Sequence, residues 1–60
     1  MLKNLDGLSK NEIIRKLSLE VIINKKTSNH FLFITTKKTE YFFIRKEVKF
    51  FLYKYYERKT

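Results

Sequence analysis

Apolar and polar residues follow two different periods along this chain, and the periods predict helices at both ends with strands between them. Leucines recur every three residues from Leu2 to Leu8, and isoleucines and a leucine continue at three- and four-residue spacing from Ile13 to Leu17. Such a stripe is typical of an amphipathic helix. The segment 1–18 is therefore predicted to be helical.

Gly7 leaves two interpretations of this N-terminal segment. A glycine inside a helix costs about 1 kcal/mol relative to alanine, whereas Ser9 followed by Glu12 has the spacing of a capping box. The chain either forms one helix through Gly7 or begins a helix at Ser9. We prefer a helix over residues 9–17.

Three strands are predicted in the middle of the chain. The β-branched residues of LEVIINKK favour a strand over 19–25, the aromatic and β-branched content of 31–36 favours a second, and 40–45 a third. The polar stretches 25–29 and 37–39 are the predicted turns, since serine and asparagine bond to their own backbone.

The last segment changes period again. Val48, Phe51, Leu52 and Tyr55 fall at positions i, i+3, i+4 and i+7, which indicates one face of a helix. Propensity alone does not exclude a strand, because FFLYKYY is rich in β-formers, but the polar residues off this stripe favour a helix over 46–58.

The predicted fold class is α+β, in the order α-β-β-β-α: a three-stranded antiparallel sheet with an N-terminal and a C-terminal helix packed on one face. Alternation along residues 31–36 places Phe31, Phe33 and Thr35 on one face of the sheet and the residues between them on the other. Both faces are apolar. Helices cover only one, so we expect the other to meet a partner or a second copy of the chain.

Composition sets limits on function. Sixty residues form a single domain, 1–60, and 14 Lys+Arg against 6 Asp+Glu give a net charge of +8, which is typical of a protein that binds a polyanion. Absence of cysteine excludes disulfides and thiolate metal sites. Neither a cofactor nor a small-molecule substrate is expected.

Catalysis is not predicted either. His30 is the only imidazole and the acidic residues are scattered singly; Glu12, for example, has the spacing of a helical ion pair with Lys16. No glycine-rich phosphate loop is present, and the apolar runs end after four residues, as in 31–34, far short of the roughly 20 needed to span a membrane. The N-terminus lacks the apolar region of a signal peptide, and an intracellular location is expected.

Lysine and arginine occur at predicted turns, strand ends and helix ends, where they favour phosphate contacts. The predicted RNA-binding residues are Lys10, Arg15, Lys16, Lys25, Lys26, Lys37, Lys38, Arg45, Lys46, Lys49 and Lys54.

Aromatic residues divide into two predicted groups. Phe31, Phe33, Phe42 and Phe51 are most simply core. Phe50, Tyr53 and Tyr56 lie off the last helical stripe and are candidates for stacking on bases or for partial burial at the helix margin.

The order of these segments resembles the thirty-eight family of eukaryotic large-subunit ribosomal proteins. A short helix leads to EVIINKKTSN, then to the strand HFLFITT, the strand EYFFI and a lysine-rich last segment, RKEVKFFLYKYYE. The resemblance implies a small α/β protein that binds rRNA and neighbouring ribosomal proteins, located in the cytoplasm on the ribosome, and no obligate homo-oligomer. The chain departs from the family at Leu32 and Ile34, which stand where basic residues alternate.

Two other functions stay open. A small phage- or plasmid-type regulator would bind DNA or a host protein through a hairpin and the last helix. A membrane-surface peptide needs a strongly amphipathic basic helix, which residues 46–58 resemble only in part. The sequence favours the structural rRNA-binding protein.

Overall fold

The computed structural model describes residues 5–58, which form one short helix followed by a four-stranded antiparallel sheet. The elements are α1 Lys10–Leu17, β1 Ile22–Thr27, β2 Phe31–Thr36, β3 Thr39–Lys46 and β4 Lys49–Glu57. Each strand pairs with its neighbour in sequence, in the order β1-β2-β3-β4. The predicted α-β-β-β-α fold is therefore wrong: the sheet has four strands, and one described helix covers it.

Helix α1 begins where the capping box predicts. Ser9 is the N-cap; its Oγ accepts a hydrogen bond from the Glu12 backbone N–H at 3.3 Å, and the Glu12 carboxylate accepts from the Ser9 N–H at 2.9 Å. Both bonds satisfy donors that a helix N-terminus leaves unpaired. The interpretation of a helix starting at Ser9 is confirmed, while Leu2 lies outside the described residues.

The residues before α1 run along the outer edge of β4 instead of continuing the helix. The Gly7 N–H donates to the Phe50 carbonyl at 2.8 Å, and the Phe50 N–H donates to the Leu8 carbonyl at 2.8 Å. The Leu52 N–H donates to the Asp6 carboxylate at 2.8 Å. Gly7 has a φ of 75°, a left-handed conformation that glycine adopts without strain. This contact pairs the backbone of the edge strand at Phe50 and Leu52.

The segment predicted as a C-terminal helix is strand β4, and a tight turn explains the error. Lys46 and Lys49 pair directly, so Glu47 and Val48 form a two-residue hairpin turn. Glu47 has a φ of 58°, which is unusual for a non-glycine residue. The Arg45 Nε donates to the Glu47 carbonyl at 2.7 Å and holds the turn. Residues 47 and 48 are Glu-Val and not the Asn-Gly or Asp-Gly pair that is typical of such turns.

A β-bulge in β4 is the second reason why the residue pattern of this segment predicted a helix. Phe43 is opposite Leu52 while Phe42 is opposite Lys54, so Tyr53 is an extra residue in β4. The residues of β4 that share a face therefore step by two before the bulge and by three across it, from Leu52 to Tyr55. That mixed spacing imitates a helical period.

The core lies between α1 and one face of the sheet. Its members are Leu5, Ile13, Leu17, Leu32, Ile34, Tyr41, Phe43 and Phe50. Phe50, a candidate for base stacking, is in fact core, whereas Val48 of the predicted helical stripe is exposed in the turn. The first strand also begins later than predicted, at Ile22.

Candidate nucleic-acid interface

The sheet has two apolar faces, and α1 covers one of them. The covered face carries Leu32 and Ile34 from β2 and Phe43 from β3, all fully buried. The opposite surface, called the aromatic face below, carries Phe31, Phe33, Phe42, Phe51, Tyr53 and Tyr56. The alternation predicted for residues 31–36 is confirmed.

Phe42 is the centre of the aromatic face. Its ring centroid lies 4.4 Å from that of Phe33, 5.2 Å from that of Phe31 and 5.5 Å from that of Tyr53. The cross-strand register produces these contacts, because Phe33 is directly opposite Phe42. The rings are tilted or edge-on to one another, arrangements that aromatic quadrupoles favour. They form a continuous apolar surface three strands wide.

The bulge in β4 adds both an aromatic ring and a charge to this surface. Bulges re-aim side chains, and here Tyr53 and Lys54 both reach the aromatic face. The Lys54 Nζ lies 5.6 Å from the Tyr53 centroid, 5.7 Å from that of Tyr56 and 6.0 Å from that of Phe42. Cations at this distance over a ring are held by its quadrupole.

Two further lysines belong to the same surface. The Lys46 Nζ lies 5.7 Å from the Phe51 centroid. Lys26 is directly opposite Phe33 on β1, and opposite residues of an antiparallel pair share a face. One carboxylate, that of Glu40, is at the margin, since Glu40 is paired with Thr35 and Tyr56. The charged side chains of the aromatic face are thus mainly basic.

The other predicted RNA-binding residues lie elsewhere. Lys10, Arg15 and Lys16 are on α1, Lys25 is opposite Ile34 on the covered side of β1, and Lys37 and Lys38 form the β2–β3 turn. Arg45 is tied to the hairpin turn. Hydrogen bonds with Ser9 are the main cause of the lowered pKa of Glu12 on α1, and the charge of Lys49, which is opposite Lys46 beside the hairpin turn, also contributes. The structure therefore gathers Lys26, Lys46 and Lys54 on the aromatic face, with Lys49 opposite Lys46 at its hairpin end, and distributes the other predicted residues around the molecule.

The two predicted aromatic groups are partly exchanged. Phe31, Phe33, Phe42 and Phe51, expected as core, lie on the aromatic face, with Phe31 and Phe51 exposed by 36% and 37%. Tyr53 and Tyr56, expected as candidates for stacking, are on that face and are exposed by 59% and 56%. Alternation shows that Phe31 and Phe33 share a face but not which face α1 covers, and the bulge at Tyr53 determines which later residues of β4 join them.

Polar contacts on the covered face hold α1 in place. The Glu20 carboxylate, just after α1, accepts hydrogen bonds from the Thr36 hydroxyl at 2.8 Å and the Tyr41 hydroxyl at 3.0 Å. Burial, and then the bond to Glu20, raise the pKa of Tyr41. These groups join the helix end to β2 and β3, so their position indicates a structural role.

Residues 5–58 offer few other candidates for a catalytic or metal site. His30 is exposed beside Phe31, with centroids 6.3 Å apart. Within residues 5–58, no three side chains of the metal-binding types cluster together. In that same range, no helix is long and apolar enough to cross a membrane.

Comparison with known proteins adds no further evidence on the role of these residues. No protein-family model, curated protein or solved structure matches this chain.

Proposed function

We propose that this protein binds RNA without catalysing a reaction, as a structural component of the large ribosomal subunit, and that its aromatic face is the contact surface. The observation that carries the proposal is the ammonium of Lys54 held over three exposed or half-exposed rings. Phosphates are attracted to the ammonium group, and bases stack on the rings. The aromatic face can therefore contact both parts of a nucleotide.

Net charge supports a polyanionic partner. A charge of +8 on 60 residues attracts nucleic acid without sequence preference. The positions of the basic residues on the surface then determine where the RNA lies. Three lysines flank apolar rings on the aromatic face, whereas the lysines of the β2–β3 turn have no such setting in the sheet register.

The ribosomal part of the proposal rests on the sequence resemblance to the thirty-eight family. The last segment of that resemblance was aligned as a helix and is strand β4. The alternative regulator is expected to bind DNA or a host protein through a hairpin and the last helix. That helix is strand β4, so only the hairpin has a counterpart among the described elements. The cytoplasmic, ribosome-bound location and the neighbouring ribosomal proteins follow from the resemblance alone.

Two lysine triples of equal charge test the contact surface. Lys26, Lys46 and Lys54 are replaced by glutamine in one variant, and Lys25, Lys37 and Lys38 in the other; both reduce the net charge from +8 to 8 − 3 = +5. RNA affinity is measured by fluorescence anisotropy over a range of salt concentrations. We expect the first triple to lower the salt slope by about 2, from about 0.7 per phosphate contact on a single strand, and the second to lower it less. Equal losses would show that the aromatic face is not the contact surface.

Cell fractionation tests the ribosomal assignment. The endogenous protein is sedimented through a high-salt sucrose cushion and detected by mass spectrometry. We expect it to travel with the large subunit at about 0.5 M salt, where simple phosphate attraction is weak. A protein that stays at the top of the gradient is not a ribosomal component.

A further inference from the structure

The rings of the aromatic face are packed too closely for anything to insert between them. Phe33 and Phe42 have centroids 4.4 Å apart, and Phe31 lies 5.2 Å from Phe42. A flat ligand therefore lies against the outer surface of the rings. Tyr53 and Tyr56, the most exposed aromatics of the face, extend this surface along β4.

Such a surface distinguishes unpaired from paired nucleic acid. Stacking on an aromatic side chain requires a base with a free face, and single strands and loops provide it. In a duplex the faces are already used by neighbouring pairs, and only phosphates and groove edges remain. Six rings on one sheet face are therefore of little use to a duplex and of direct use to a single strand.

The lysines alternate with the rings in a way that suits a single strand. Lys54 lies over Tyr53 and Tyr56 on β4, Lys46 lies over Phe51 near the hairpin turn, and Lys26 is opposite Phe33 on β1. A single strand also alternates base and phosphate. From β1 to β4 this surface is three strand spacings wide, about 14 Å, so a short segment covers it.

A second copy of the chain suits this surface less well. Each copy has a net charge of +8. Joining two aromatic faces would place Lys26, Lys46 and Lys54 of one copy against the same lysines of the other. Like charges brought together at an interface oppose association, whereas phosphates neutralise them.

We infer that the aromatic face binds an unpaired RNA segment, with bases stacked on Phe42, Tyr53 and Tyr56 and phosphates on Lys26, Lys46 and Lys54. This inference rests on the proposed RNA-binding function and specifies the form of RNA that is recognised. The Glu40 carboxylate at one margin repels phosphate, so the backbone passes on the side of the lysines.

The test compares two RNAs and two tyrosines. The RNAs are an oligouridine of about eight nucleotides, within the site size of small single-strand-binding domains, and a blunt RNA duplex with the same number of phosphates. The variants are Tyr53→Ala and the matched control Tyr55→Ala; Tyr55 is opposite Tyr41 on the covered side. Dissociation constants are measured by anisotropy, and circular dichroism checks that each variant folds.

We expect Tyr53→Ala to weaken oligouridine binding by about five- to a hundredfold, the range of one lost stacking contact. Duplex binding should be unchanged, and Tyr55→Ala should change oligouridine binding by less than about twofold. Tyr53→Phe keeps the ring and should restore binding.

Three outcomes contradict the inference, and a fourth concerns the function itself. Duplex binding as tight as oligouridine binding, equal effects of Tyr53→Ala on both RNAs, or a dimer in sedimentation equilibrium that RNA does not dissociate would each overturn the unpaired-RNA assignment. Failure of the unmodified protein to bind either RNA would instead overturn the proposed function.

Discussion

Phe42 and Phe43 are neighbours on β3, and their rings lie on opposite faces of the sheet. Phe43 is fully buried under α1, whereas Phe42 is half-buried among Phe31, Phe33 and Tyr53. Both faces are apolar, so hydrophobicity does not distinguish them. What differs is the cover: a single eight-residue helix reaches one face only. In a small domain, an apolar sheet face stays uncovered when no other element packs on it, and here no element of residues 5–58 does so.

The largest expected effect comes from the centre of the covered face. Phe43→Ala removes a fully buried ring, which costs about 3–5 kcal/mol, against a total stability of about 3–9 kcal/mol for a domain of this size. We expect Phe43→Ala to be largely unfolded in circular dichroism and urea denaturation.

Phe42→Ala makes the comparison between faces direct. The half-buried ring contributes about 1–2 kcal/mol, from partial burial and lost ring pairs, so this variant should still fold. It should nevertheless bind oligouridine more weakly than the unmodified protein. A Phe42→Ala protein as unstable as Phe43→Ala would show that the two faces have equal weight in the fold.

Thr36→Val and Thr35→Val extend the comparison to polar groups. The Thr36 hydroxyl is buried, donates to Glu20 and accepts from the Thr39 N–H at 3.0 Å. Valine keeps the shape but leaves these groups unpaired, so we expect a loss of about 1–3 kcal/mol in urea denaturation. Thr35 on the aromatic face is half-buried, and its valine variant should change stability by less than about 0.5 kcal/mol.

Ser9→Ala tests how much the N-cap of α1, the helix that covers the core face, contributes to stability. Removing the N-cap hydroxyl should lower the free energy of unfolding by about 1 kcal/mol. The pKa of Glu12 is lowered mainly by its hydrogen bonds with Ser9, so its contribution is present above the unfolded value of 4.5 and is lost as the pH falls through the folded one. Urea midpoints should show a small acid-dependent decrease, and Ser9→Ala should reduce this decrease only in part, because the Ser9 backbone N–H, the largest cause of the lowered pKa, is kept.

Tyr41 gives the smallest effect and acts at the opposite end of the pH scale. Burial raises its pKa above 10.0, so its contribution to stability is complete below pH 10.0 and is lost as the pH rises through the folded value. Phenolate absorbance should show one tyrosine that titrates late, and Tyr41→Phe should remove that step. A titration unchanged by Tyr41→Phe would place the late step on another tyrosine.

Local signals in the sequence located several elements well. The capping box of Ser9 and Glu12 determines where α1 begins, because it depends only on residues three positions apart. The predicted strand 31–36 has the bounds of β2, since five of its six residues are aromatic or β-branched. The uncovered second face was also expected from the alternation along this strand.

Strand β4 could not be predicted from the residue pattern, and the reason is physical. Glu47 adopts a left-handed conformation that its side chain does not favour, and the pairing of β3 with β4 compensates for that strain. The bulge at Tyr53 changes which residues share a face, so the strand resembles a helix in period. Only the tertiary pairing determines both features, and with them the positions of Phe50 in the core and of Tyr53 and Lys54 on the aromatic face.

By itself, the sequence determined the charge, the start of α1, the central hairpin and the presence of apolar residues on both faces of that hairpin. Those properties depend on composition and on neighbours within a few residues. The tertiary structure decided which aromatics are buried and which lysines meet the exposed rings. Cross-strand register sets those contacts, and register depends on partners far apart in the chain.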